Sequence, residues 1–265
     1  MAIQTRTTLN QLLSAWPKGT VAVPSWLAAQ GVSRQLGRSY QRTTWLARLG
    51  RGAFVRVDDK VIWAGGLYAM QQQMGLAIHA GGKTALELQG YAHFLPLGSP
   101  ATVNLFGAPG QKLPAWFKDH DWQARIRYTA TNLFKGEAQL GLTEKAFGEF
   151  GIKLSTPERA LMEVLHFVPL QETFEESRLL MEGMTTLRAS LVQSLLDRCN
   201  SVKVKRLFLF LAETCKHAWV SKLDLSGVAL GKGKRVIVKG GRLDPKYSIT
   251  VPADNLPSQE PEPTP

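Results

Sequence analysis

Between Pro24 and Arg42 the chain sets two short helical stretches around one tight turn, and that spacing leaves few folds open. Trp26 to Gln30 reads as a short helix entered through Pro24 and Ser25. Gly31-Val32-Ser33 then forces a turn, and the Ser33 hydroxyl can accept from amides two or three residues on, which caps a further helix. In that helix Leu36 and Tyr40 lie four apart and face inward. An amphipathic helix comes first, with Leu9, Leu12, Leu13 and Trp16 at helical spacing from Thr8 to Trp16, and Pro17 with Gly19 ends it. Two strands follow, Trp45 to Leu49 and Ala53 to Val57, joined by Gly50-Arg51-Gly52. Three helices and a hairpin make a winged helix-turn-helix. Trp16, Trp26 and Trp45 each fall on an apolar phase and are expected in its core.

Charge separates this segment from the rest. The chain of 265 residues carries +11, and its first 60 residues hold nine basic side chains against only Asp58 and Asp59, so they carry +7 of that total. Arg34, Arg38 and Arg42 stand at i, i+4 and i+8 on the third helix, opposite Leu36 and Tyr40. Like charges at that spacing repel by a few tenths of a kcal/mol per pair, and no acid within the helix offsets them. An external polyanion relieves the repulsion. Ser33, Gln35, Ser39 and Gln41 flank the stripe within reach of base edges or phosphates, as expected of a helix that enters a major groove. Arg48 and Arg51, on the hairpin and at its tip, can reach an adjacent phosphate or minor groove. If about six of these groups touch phosphates, log affinity falls against log salt with a slope near −5. The bland alternative, a solvated basic face, does not account for helix order, charge segregation and wing tip together.

Beyond residue 60 the pattern becomes mixed. Leu67, Tyr68 and Met70 suggest a helix leading into a strand at Leu76 to His79, with a domain boundary near residue 75. Thr84 to Gly90 reads as a helix, and Ala101 to Gly107 and Ala124 to Ala130 as strands. Ser155-Thr156-Pro157-Glu158 combines a hydroxyl cap, an early proline and a Glu that can reach back, and starts a helix running through Leu161, Leu165 and Phe167. Three more helical stretches follow at Phe174 to Glu182, Leu187 to Cys199 and Val204 to Trp219. Lys234 to Lys239 and Tyr247 to Val251 are then expected to pair as strands. The expected class is α+β: a winged helix-turn-helix over 1–75, a larger mixed α/β domain with a sheet flanked by helices over 76–252, and a polar, proline-rich tail over 253–265 that is disordered.

Enzyme signatures fall short. Ala80-Gly81-Gly82-Lys83-Thr84 resembles a phosphate-binding loop, but Ala77 stands where such a loop needs glycine, and Thr84 with Glu87 is equally a capping box. Gly227 to Lys234 misses the spacing too and reads as a mobile basic loop. His79, His93, His120, His166 and His217 are scattered without metal-ligand spacing. Cys199 and Cys215, sixteen positions apart, form neither a disulfide framework nor a zinc pair and are expected as buried, reduced thiols in apolar helices. No catalytic residue, cofactor or metal is therefore expected. The N-terminus lacks the apolar core of a signal peptide and no segment approaches a membrane span, so the expectation is a cytoplasmic protein without a membrane partner.

Several segments, in order, resemble the AbiE-type antitoxin family, transcriptional regulators paired with nucleotidyltransferase-like toxins in bacteria. They are WLAAQGVSRQLGRSYQRTTWLARLGRGAFVRV at Trp26 to Val57, GGKTALELQGYAHFLPLG at Gly81 to Gly98, VNLFG at Val103 to Gly107, LPAWF at Leu113 to Phe117 and STPERALMEVL at Ser155 to Leu165. The resemblance implies an N-terminal winged helix that represses its own operon at inverted repeats. It also implies a C-terminal domain that neutralises the toxin without a stable complex. Before the wing, where the usual motif has Ser-Gly-Trp, this chain has Arg42-Thr43-Thr44-Trp45. Two other readings stay open: a stand-alone repressor that senses a small ligand, and a nucleotide-using enzyme acting through Lys83 and Thr84 that a winged helix delivers to DNA.

Overall fold

The computed structural model describes residues 2–91, 102–136 and 139–253. His93, Ala101, the end of the Gly81 to Gly98 motif and the tail from position 254 lie outside them. The chain divides into two compact units that interleave in sequence: residues 1–80, 96–131 and 143–154 form the first, and 81–95, 132–142 and 155–265 the second. The limits expected from the sequence run along the chain, whereas these units are drawn by contact.

In the first unit α1 (Ala2–Ala15), α2 (Pro24–Ala29) and α3 (Arg34–Arg42) precede the strands β1 (Leu46–Gly50) and β2 (Ala53–Arg56). The helix expected from Thr8 begins six residues earlier. Proline opens α2, where its missing amide hydrogen has no intrahelical acceptor to lose. Ser33 caps α3, its Oγ accepting from Leu36 N at 3.2 Å. β1 and β2 pair antiparallel, with a bulge between Arg48 and Gly50 and with Gly52 at φ 83° completing the turn. The segment between α1 and α2 also joins the hairpin: Ala22 N donates to Phe54 O at 2.8 Å and Phe54 N to Ala22 O at 2.9 Å. Leu9, Leu12, Trp16, Leu27, Val32, Tyr40 and Leu46 form the core beneath the three helices. Trp16 and Trp26 meet edge-on at 5.8 Å. This element order and core are consistent with a winged helix-turn-helix.

The same unit holds α4 (Trp63–Tyr68), which continues as a π-helical segment (Ala69–Gln73), α6 (Ala115–Asp119), and a five-stranded sheet. Its strands are β3 (Ile78–Ala80), β4 (Thr102–Gly107), β5 (Arg125–Ala130), β6 (Leu142–Phe147) and β7 (Phe150–Ser155), ordered β5-β4-β3-β7-β6. β4 runs antiparallel to β3 and parallel to β5, and β3 runs parallel to β7. At two positions a side chain would crowd its neighbours. A Cβ on Gly65 would stand 1.9 Å from Gly19 O, and one on Gly50 would stand 3.1 Å from Trp116 Cβ, where α6 packs on the hairpin.

The second unit is built on α7 (Pro157–Phe167), packed by α5 (Gly82–Leu88), α8 (Phe174–Glu182), α9 (Ala189–Arg198) and α10 (Val202–Thr214). A three-stranded sheet, β8 (Arg235–Val236), β10 (Ile249–Val251) and β9 (Arg242–Asp244), completes it in the order β8-β10-β9. The pair expected from Lys234 and Tyr247 forms, in parallel, with β9 added on the other side of β10. The last long helix expected, to Trp219, breaks instead at Lys216, whose φ is 55°, and a 3₁₀ turn covers Ala218–Lys222. The described residues are thus α+β, with their strands shared among the β1-β2 hairpin, a five-stranded sheet and a three-stranded sheet.

The two buried carboxylates of α7 are paired. Glu163, almost fully buried, accepts from Gly82 N at 2.9 Å, Ser155 Oγ at 2.8 Å and Arg159 Nε at 2.9 Å. Glu158 does not reach back to cap α7. It binds Arg188, whose Nε and Nη2 lie 2.9 and 3.1 Å from its two oxygens. α7 starts at Pro157 after Thr156 with no side-chain cap, so the capping expected at Ser155 to Glu158 does not form. α8 carries a capping box of Thr173 with Glu176.

Candidate nucleic-acid interface

The α3 arginines project outward. Arg34, Arg38 and Arg42 are all exposed, and no carboxylate pairs with any of them among the described residues. The opposite face is anchored by Tyr40, 3% exposed, and by Leu36 against the same core. Arg34 opens the helix with no acid in the first turn, so a cation stands at the positive end of the helix dipole. The arrangement is costly for the free protein and favourable beside an anion. Asp59, one of two acids among the first sixty residues, is engaged elsewhere, accepting from Gly19 N at 2.9 Å.

The remaining expected contacts divide by reach. Gln35 is exposed beside the stripe, and Ser33 is exposed with its hydroxyl engaged as the helix cap. Ser39 is half-buried, and Gln41 is half-buried with its amide donating to Gly37 O at 3.2 Å, a bond it must release to touch a base. On the hairpin, Arg51 is exposed at the tip, and Arg48 is exposed with Nε donating to Gly50 O at 3.2 Å. Arg56 belongs to the interior. Its Nη2 donates to Leu13 O at 2.6 Å and its guanidinium lies 5.7 Å from the Trp16 ring, so it locks the hairpin to α1.

Between α2, α3 and β1 runs a groove of about 630 Å³. Leu27, Val32, Leu46 and Phe54 line it, together with Arg34, Arg38, Gln41 and Arg48. One side chain stands outside the expected core. Trp45 is 48% exposed, between Arg42 and the first hairpin strand, although its backbone is fixed by Trp45 N to Tyr40 O at 2.9 Å and Val57 N to Trp45 O at 3.2 Å. Thr44 at φ 57° swings the chain at that point and turns the indole outward, which no periodicity in the sequence signals.

The enzyme-like motif is structurally occupied. Gly81 precedes α5 and makes no side-chain cap, and Thr84 lies buried inside the helix, so the capping box expected with Glu87 does not form. The Gly82 amide that a phosphate would need is bonded to Glu163. Lys83 pairs with Glu172 and lies 3.4 Å from Glu176. Cys199 and Cys215 are free thiols at the C-terminal ends of α9 and α10 rather than inside them, and Cys215 is only half-buried. Among the described residues no group of three His, Cys, Asp or Glu is placed to hold a metal, and no helix is long and apolar enough to cross a membrane.

Comparison with known families decides the class of regulator. Residues 5–97 match the family model for the N-terminal domain of AbiEi antitoxin transcriptional regulators, and residues 100–252 match that for AbiEi antitoxin transcriptional regulators of type IV toxin–antitoxin systems. The chain belongs to the AbiEi antitoxin family. Among solved structures, the RV2827C protein from Mycobacterium tuberculosis shares the fold of this AbiEi-family chain, with a TM-score of 0.51 at 13% identity over 92% of this chain and 90% of that one. No curated protein sequence matches it. The family match covers both the N-terminal segment of three helices and a hairpin and the helical and sheet elements after it, as the resemblance implied.

Proposed function

We propose that this AbiEi-family chain is a DNA-binding autorepressor and antitoxin, with residues 1–75 holding the DNA interface and residues 76–252 countering a nucleotidyltransferase-like toxin. The observation that carries the DNA reading is the outward row of Arg34, Arg38 and Arg42 on a helix whose other face is locked into the core. The third helix enters the major groove, Gln35 and the arginines meet base edges and phosphates, and Arg48 and Arg51 clamp the adjacent backbone. Five phosphate contacts give log affinity a slope of about −4.5 against log salt. Toxin neutralisation rests on family membership. Growth rescue by the full chain, co-expressed with a toxin encoded beside it, tests that half.

The DNA half is tested by titrating the full-length protein, and Arg38→Ala/Arg42→Ala, against the DNA upstream of its own gene. Each contact of this kind contributes about 1 to 3 kcal/mol, so the variant is expected to bind more than tenfold more weakly. Unaltered affinity would overturn the assignment.

A further inference from the structure

Away from the arginine row, one hollow of the first unit joins apolar walls to uncompensated positive charge. It encloses about 380 Å³ and is lined by Lys112, Leu113, Lys118, Ile126 and Tyr128. Ile126 and Tyr128 stand two apart on β5, a strand at the edge of the five-stranded sheet, so both point to the same side of it. The Tyr128 ring lies over Gly107 of β4, where a Cβ would collide with it, and its hydroxyl donates to Gln111 O at 3.0 Å. The turn before Lys112 is closed by Gln111 N to Ala108 O at 3.1 Å, with Gly110 at φ 85°. On the other wall, α6 holds Lys118 in its last turn, and Trp122 Nε1 donates to Phe117 O at 2.7 Å. The hollow is therefore built from fixed elements.

Lys112 and Lys118 are both exposed, and no carboxylate pairs with either among the described residues. The nearby Asp121 carboxylate is engaged, accepting from Gln123 N at 2.9 Å and Gln123 Nε2 at 2.7 Å. A bare anion would use the two ammonium groups and gain nothing from Leu113, Ile126 and Tyr128. A neutral apolar molecule would use those walls and gain nothing from the lysines. The lining therefore fits a molecule that has both parts, and the volume lies within the roughly 300 to 1,000 Å³ of small-ligand sites. The hollow also adjoins the hairpin through one helix. α6 carries Lys118 into the lining and sets Trp116 against β1, where a Cβ on Gly50 would stand 3.1 Å from Trp116 Cβ. Gly50 precedes Arg51 and lies two residues after Arg48, the hairpin arginines assigned above to the DNA backbone.

We propose that this hollow is an effector site for a small organic anion, an apolar body with a carboxylate or phosphate head, whose occupancy moves α6 and with it the hairpin. The effect on DNA rests on the DNA-binding reading above, whereas occupancy of the site does not. The test is calorimetric titration of the full-length protein with octanoate and octyl phosphate, against octanol and octylamine as neutral and cationic counterparts. At least one anion is expected to bind with a dissociation constant of about 1 mM or tighter, and about tenfold more tightly than octanol. Lys112→Gln/Lys118→Gln is expected to weaken the anion about tenfold and leave octanol unaltered, with an unchanged melting temperature because both positions are exposed. Ile126→Trp, which fills the hollow, is expected to weaken every ligand of the series. Absence of binding by both anions, equal affinity for octanol, or an unaltered anion affinity in the lysine variant overturns the site. Saturating anion is then expected to change operator affinity about fivefold relative to acetate at the same concentration, and the lysine variant to lose that response. Operator affinity that ignores the bound anion overturns the effector role. If the protein binds the anion but no DNA, the DNA-binding reading fails and the anion site stands.

Discussion

At the scale of single residues, the proposed interface is defined as much by what holds side chains inward as by what points out. Arg56 and the α3 arginines look alike in sequence, yet Arg56 is spent on Leu13 O and the Trp16 ring while Arg34, Arg38 and Arg42 face outward. Trp45 is the converse case, an apolar side chain left 48% exposed beside the stripe. Because only about half of its surface is covered, Trp45→Ala is expected to lower stability by about 1 kcal/mol. Its loss is nonetheless expected to weaken operator binding several-fold in an anisotropy titration, because the indole supplies apolar contact between two arginine positions. Unchanged affinity with unchanged folding would remove Trp45 from the interface. Helical phase placed Leu36 and Tyr40 inward and the arginines outward without the structure. It misplaced Trp45, because one residue at positive φ, Thr44, resets the phase.

At the scale of elements, the hairpin and α3 were legible because their signals are local: a cap at Ser33, the helical spacing of Leu36 and Tyr40, and a glycine at Gly52. The β6 and β7 hairpin was not. β6 is exposed along most of its length, so it shows neither alternation nor an apolar run. α4 is held by a contact no sequence pattern announces, the approach of Gly65 to Gly19 O. Gly65→Ala is therefore expected to lower stability by about 3 kcal/mol, measurable by urea unfolding, since both clashing groups are backbone. A variant as stable as the parent would show that this packing is not as tight as described. α7 carries two of the groups whose pKa values the fold shifts. Burial, then Lys203, lowers the His166 pKa from its ordinary 6.5, so the stability held by its neutral form is lost as pH falls below about 6.5. Burial alone would raise Glu158, but its bonds from Arg188 outweigh that and hold it below 4.5, so its contribution is lost only at lower pH still. Melting temperature is expected to drop between pH 7 and pH 5, and His166→Gln to flatten that drop. An equal drop in the variant would assign it to other groups.

At the scale of the whole molecule, the order of motifs identified the family where no single motif could, and the match over residues 5–97 and 100–252 agrees with it. What the sequence could not convey was long-range assembly. β3, β4 and β7 come from segments more than twenty residues apart and share a sheet, and Gly82 meets Glu163 across 81 positions. That second contact is why a phosphate-loop pattern at Gly81 to Thr84 serves as structure: the amide it would lend to a nucleotide already binds a carboxylate. Charge, by contrast, was legible at this scale, because composition by segment survives any fold. The central claim is that α3 lies against the bases of its operator. It is tested most directly by replacing Gln35, exposed beside the arginine row, with a photo-crosslinking residue in the full-length protein bound to the DNA upstream of its gene. Cross-links are expected at defined base positions within each half-site. A protein that binds this DNA and yields no cross-link from position 35 would contradict it.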